Sequence, residues 1–126
     1  MKESDKLRLI DYLQHILQAI QRIEHYTEDL TDVAFLEDVR TQDAVIRNFE
    51  IIGEASMNIE RRYSDFAANY PDMPWSIAYE MRNALAHGYF NVDLGIVWKT
   101  IRTDLPPLYT QVRVLINNLK DNAENR

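Results

Sequence analysis

Apolar residues return every three or four positions through most of the chain, and that regularity leaves room for little except packed helices. From about residue 5 to 26, Ile10, Leu13, Leu17, Ile20 and Ile23 make one stripe with Ile16 beside it, while Lys6, Asp11, Gln14, Gln18, Gln21 and Glu24 fall largely on the other side. Ser4 or Asp5 is the expected cap. Thr31 is placed to cap a short helix carrying Val33, Phe35 and Leu36, and Asp38 or Thr41 to cap a longer one from about 39 to 62. Val45, Phe49, Ile52, Ser56 and Ile59 supply the inner stripe of that helix.

The segment YSDFAANYPDMPW reads as a surface connection. Pro74 suits the first position of a further helix, where its missing N–H costs nothing, with Ile77, Ala78, Met81 and Leu85 on one face and Gly88 just past its end. Asp93 then caps a helix holding Leu94, Val97, Trp98 and Ile101; Pro106 and Pro107 break or kink it; and Leu108, Val112, Leu115 and Leu119 restore the stripe. No strand pattern or internal repeat intervenes. The expected fold is all-α, an up-and-down bundle of four main helices plus one short or broken helix. It forms one domain over residues 1–126 with a polar tail from about 120.

Composition agrees. With 126 residues, 46% hydrophobic and 27% charged, the chain suits one core. Three glycines and four prolines favour long helices, and the absence of cysteine excludes disulfides and thiolate-bound metal. No secretory leader or bilayer-spanning run is evident, so the expectation is a cytoplasmic protein with no membrane partner. The net charge of −6 argues against a broad basic surface that grips nucleic acid, and leaves room for a local cationic cleft or a basic partner.

MRNALAHGYF, residues 81–90, concentrates the chemistry: Arg82, then His87 five positions on, then Tyr89. Five helical residues turn about 140° beyond a full circle, so Arg82 and His87 do not share a narrow face. A long arginine stem, the release of His87 from helical geometry before Gly88, or a two-fold dimer that doubles the pair each brings them together. RNA carries its own nucleophile in the 2′-hydroxyl, so cutting it needs proton transfer and neutralisation of phosphate charge. Imidazole supplies the first near neutral pH and guanidinium the second, without metal. Taken as residue types alone, an exposed arginine and a histidine at a helix end are equally ordinary structural choices.

Three stretches in order carry a resemblance that bears on this choice: IIGEA at 51–55, MPWSIAYEMRN leading into RNALAHGY, and VDLGIVW after it. The chain resembles the HEPN superfamily, and within it the HepT toxins of HepT–MntA toxin–antitoxin pairs, over most of its length. The resemblance implies a HEPN-like homodimer and a metal-independent endoribonuclease toxin of a type VII-like system, cutting tRNA or mRNA at the subunit interface. Arg82 and His87 are then the catalytic pair and Asn83 a supporting polar residue. Tyr89 becomes the acceptor of AMP from an MntA-like nucleotidyltransferase antitoxin. No cofactor, metal or DNA is implied. AMP on Tyr89 would add bulk and negative charge beside Arg82 and oppose entry of an RNA phosphate. The competing expectation is a non-catalytic helical dimer that serves as a binding module for a nucleotidyltransferase.

Other residues invite plainer readings. Glu54, within IIGEA, is a candidate to orient Arg82 or His87, or else an ordinary surface carboxylate. His15 and His25 read as solvated, Trp75 and Trp98 as core. Arg47, Arg61 and Arg62 read as helix-surface ion-pair formers, with holding of RNA backbone as the other role open to them.

Overall fold

The computed structural model describes residues 1–75 and 93–124. Within them lie six helices and no strand: α1 Glu3–Thr27, α2 Asp32–Glu37, α3 Val39–Arg62, α4 Ser64–Ala68, α5 Leu94–Thr103 and α6 Leu105–Glu124. The all-α expectation holds, with four long helices and two short ones among the described residues.

α1 is the central member. Leu9, Leu13, Ile16, Ile20 and Ile23 are each 1% exposed or less. Its long apolar stripe packs along α3 on one side and α6 on the other. From α3 come Val45, Phe49, Ile52 and Ile59, and from α6 Val112, Leu115, Ile116 and Leu119, all buried. Each fully buried side chain of this size contributes about 1.5–3 kcal/mol relative to exposure, which makes the stripe the main driving force for assembly. Across the α1–α6 seam Gln21 Nε2 donates to the Tyr109 hydroxyl at 3.1 Å.

Local signals set the helix ends. The Thr31 hydroxyl accepts from the Ala34 amide at 3.1 Å, which starts α2. Asp38 starts α3 by accepting from the Thr41 amide at 3.0 Å and the Thr41 hydroxyl at 2.7 Å. These bonds hold the Asp38 carboxyl below its ordinary range, the side-chain bond from Thr41 first and its backbone amide second. α1 departs from expectation: it begins at Glu3 after Lys2, with no side-chain cap, so neither Ser4 nor Asp5 serves. α5 ends at Thr103 and α6 begins at Leu105. Pro106 and Pro107 therefore stand in the first turn of α6, where their missing N–H groups cost nothing.

The expected connection after α3 keeps its polar residues at the surface but sends four side chains inward. Residues 64–68 form α4, and Phe66, Ala67, Met73 and Trp75 join the core. The aromatic rings explain this: Phe66 packs on Tyr70 at 5.0 Å and on Trp75 at 6.5 Å, a satellite cluster beneath the loop.

One cation closes the other end. Arg102 Nη2 donates to the carbonyls of Thr27 at 2.8 Å and Leu30 at 3.0 Å, while its guanidinium lies 4.3 Å from the Trp98 ring centre. Trp98 in turn packs 5.2 Å from Phe35. Arg102 thereby adds a charged donor to the Thr27 carbonyl, which also accepts from the Leu30 amide, and to the Leu30 carbonyl in the connection that follows, and ties α1, α2 and α5 together.

Two outcomes are expected. Arg102→Ala should lower unfolding free energy by about 1.5–3 kcal/mol, the range for hydrogen bonds to a charged group, as measured by urea denaturation. Asp38 is depressed in the fold, so its contribution is complete above the ordinary carboxylate pKa and is lost as pH falls through the folded value. The difference in Tm between wild type and Asp38→Ala should therefore shrink when thermal scans are taken from pH 6 down below 3.

Candidate functional site

The stretch that carries Arg82, Asn83, His87 and Tyr89 lies outside the described residues, and so do the part of the expected helix beyond Trp75 and the Gly88 end position. The two residues that bracket it are described. Upstream, Trp75 is 6% exposed and packed against Phe66. Its indole Nε1 and Glu60 Oε1 are buried with no hydrogen-bond partner among the described residues, and both side chains line a cleft of about 360 Å³ together with Ser64, Ala67 and Met73. Downstream, Asp93 Oδ1 accepts from the amides of Gly95 at 3.0 Å and Ile96 at 3.2 Å and so starts α5, as its sequence position predicts. An indole in the core fixes one end of the motif segment and a helix cap the other.

Glu54 is the one predicted site residue that the structure describes. It sits on the exposed face of α3, on the side away from the buried stripe. There it lines a cavity of about 210 Å³ with Tyr12 and His15 of α1 and with Ile51, Ala55 and Asn58 of its own helix. Asn58 Nδ2 donates to the Glu54 backbone carbonyl at 3.1 Å, and the Glu54 side chain is exposed. The cavity thus gathers a carboxylate, an imidazole, a phenol and an amide, a set suited to hydrogen bonding with a polar ligand.

The sequence marks Glu54 as a candidate to orient Arg82 or His87, or else an ordinary surface carboxylate, and His15 as solvated. His15 is indeed exposed; what the sequence did not reveal is its position beside Glu54. That neighbourhood follows from the antiparallel register of α1 and α3, which single-helix periodicity does not encode. The signal that bears on it is a shared spacing: His15 lies seven residues from Arg8 and from Arg22, and Glu54 seven from Arg47 and from Arg61.

At the end of α3, the Tyr63 phenol is pushed above its ordinary pKa, first by burial and then by the Asp5 carboxylate, with Arg8 and Arg62 acting in the opposite direction. His25 lies 3.6 Å from Glu28 on the surface, in keeping with a solvated side chain. Arg47 pairs with Glu50 at 3.4 Å, the ion-pair role expected of it. Trp75 is in the core and Trp98 is partly buried against it. Among the described residues no three His, Asp or Glu side chains gather at metal-holding range, and no helix is long and apolar enough to cross a membrane.

Residues 16–115 match the family model described as "Ribonuclease HepT-like", and the chain belongs to that family. It is 46% identical over 108 residues to "Probable ribonuclease HepT" of Thermococcus cleftensis, covering 86% of this chain and 92% of that one. It is also 41% identical over 115 residues to "Gamma-glutamylcyclotransferase and putative RNase MJ0434" of Methanocaldococcus jannaschii; there the match covers 91% of this chain but only half of the relative's length. No solved structure matches the chain.

The bracketing residues give a stability test. Trp75→Ala should cost about 3–5 kcal/mol through lost aromatic burial. Asp93→Ala should cost about 0.5–2 kcal/mol through the lost cap. Chemical denaturation measures both, and an unchanged midpoint for either would contradict its assigned anchoring role.

Proposed function

We propose that this protein is the ribonuclease toxin of a type VII-like toxin–antitoxin pair and cuts tRNA or mRNA without a metal ion. The observation that carries the reading is RNALAHGY itself, lying within the 100-residue span that matches the HepT-like ribonuclease model.

In this proposal the 2′-hydroxyl of one nucleotide attacks its own 3′-phosphorus. The bond to the 5′-oxygen of the next nucleotide breaks, leaving a 2′,3′-cyclic phosphate and a 5′-hydroxyl. His87 transfers the proton: an imidazole takes it from the 2′-hydroxyl, and an imidazolium returns one to the leaving oxygen. Two copies of the chain meeting about a two-fold axis provide both protonation states in one cleft. Arg82 binds the phosphate oxygens as charge builds on them, since its guanidinium stays protonated and presents paired donors. Asn83 adds a polar contact. Glu54, exposed on α3, supports the arginine or the imidazole by hydrogen bonding.

Regulation falls to Tyr89. An MntA-like nucleotidyltransferase joins its phenolic oxygen to the α-phosphorus of ATP, with release of pyrophosphate. The product carries a bulky anion two residues from His87, where it repels the RNA backbone.

Purified protein incubated with bulk tRNA in EDTA tests the assignment. Wild type should cut, and Arg82→Ala and His87→Ala should each lower the rate by about 10²–10⁴-fold with folding retained, the usual contribution of positioned proton transfer. A wild type that leaves RNA intact yet binds a nucleotidyltransferase would instead establish a non-catalytic binding module. With ATP and that enzyme, Tyr89→Phe should take up no AMP; covalent labelling of the variant would move the acceptor elsewhere.

A further inference from the structure

We infer that α2 and the first turn of α3 form a docking face for a protein partner, one whose surface sets lysine and arginine around an apolar contact. This inference rests on the regulatory part of the proposed function, in which a nucleotidyltransferase engages the chain, and it places that enzyme's point of attachment. The face begins with apolar side chains left outside the core. Val33 is 61% exposed, Leu36 49% and Val39 65%, at intervals of three residues across α2 and the start of α3. Single exposed apolar residues are ordinary on any protein, but three large ones within seven positions make a patch.

The patch has a rigid base. α2 sends only Phe35 into the core, where its ring lies 5.2 Å from that of Trp98. Side chains of other elements hold the rest. Gln42 Nε2 donates to the Phe35 carbonyl at 2.8 Å, the Thr31 hydroxyl caps the helix, and Arg102 reaches the Thr27 and Leu30 carbonyls just before it. A helix of six residues does not hold its shape alone, so these contacts keep Val33 and Leu36 presented at the surface. The order exists before a partner arrives, which lowers the cost of binding.

Charge selects the occupant. Between residues 28 and 43 stand Glu28, Asp29, Asp32, Glu37, Asp38 and Asp43, against Arg40 alone, so this short stretch carries nearly all of the chain's net charge of −6. α5, which packs on α2, adds Lys99 and Arg102 but also Asp93 and Asp104 at its two ends, and leaves the balance as it was. Asp32 and Asp38 accept from the Val33 and Thr41 amides at the starts of α2 and α3, while Glu28, Asp29, Glu37 and Asp43 are exposed. Among the described residues no three such groups gather closely enough to hold a metal ion. An RNA strand, an anionic lipid surface and the same face of a second copy all bring like charge and are repelled. A protein surface with cations around an apolar centre is attracted, and it matches the usual layout of an interface, an apolar core within a polar rim. At about 1.5 Å per residue, Val39 lies roughly 22 Å along α3 from Glu54, so changes on this face leave the proposed cutting site untouched.

The test immobilises an MntA-like nucleotidyltransferase, without ATP, and follows binding of this protein by biolayer interferometry. Val33→Ser/Leu36→Ser should weaken the complex about tenfold, mainly by faster dissociation. Asp29→Lys/Glu37→Lys should slow association about tenfold at low salt, a difference that fades at about 0.5 M salt. Circular dichroism checks that both variants fold, and both should cut tRNA at the wild-type rate. Unchanged binding by both, beside a wild type that binds, overturns the docking face and leaves the regulatory reading standing. Loss of tRNA cutting together with binding overturns it as well, since the face is then not separate from the cutting site. A nucleotidyltransferase that ignores the wild type sinks the regulatory reading, and this face with it. A wild type that binds but cuts no RNA sinks only the ribonuclease assignment, and weakened binding by the variants then still supports the face.

Discussion

The burial of one broad apolar stripe on α1 governs this structure. The stripe is wide enough to serve two neighbours, so α3 and α6 need not pack on each other to be held in place. Fixing α3 against α1 determines which of its residues face outward, and Glu54 is one of them. The polar surface where chemistry is proposed is thus a by-product of the apolar one: a rotation of either helix that improved burial elsewhere would turn the carboxylate and the imidazole of His15 apart.

Much of this was legible in the sequence, for identifiable reasons. The boundaries of α3 follow from Asp38, whose carboxylate is a strong cap, and from a stripe that runs without interruption to Ile59. Thr31 and Asp93 announced their helices in the same way. The residues after α3 are exposed where Ser64, Asp65, Asn69, Pro71 and Asp72 predict it, while the burial of Phe66, Met73 and Trp75 depends on their finding one another across a loop, which local composition does not encode. The start of α1 was misplaced for the opposite reason: good capping residues stand at positions 4 and 5, yet the helix simply extends past them.

The site divides along the same line. Arg82, His87 and Tyr89, the residues proposed to carry the chemistry, can be picked out from sequence because they fall within eight consecutive positions. The company that Glu54 keeps was not, because Tyr12 and His15 are about forty positions away and reach it only through the packing of two helices. The family match spans the stretch that holds the local motif; the structure contributes a non-local grouping, the cavity shared by Tyr12, His15 and Glu54.

The two prolines at the start of α6 have a consequence for assembly. If the short turn at Asp104 straightened, α5 and α6 would fuse into a single rod, and α6 could leave its own bundle to complete that of a neighbour. Pro106 and Pro107 oppose this: within a straight continuous helix their rings would collide with the carbonyls of Arg102 and Thr103, and two hydrogen bonds would be missing, at about 3 kcal/mol or more for each proline. The bend between α5 and α6 is therefore held by covalent geometry as well as by packing.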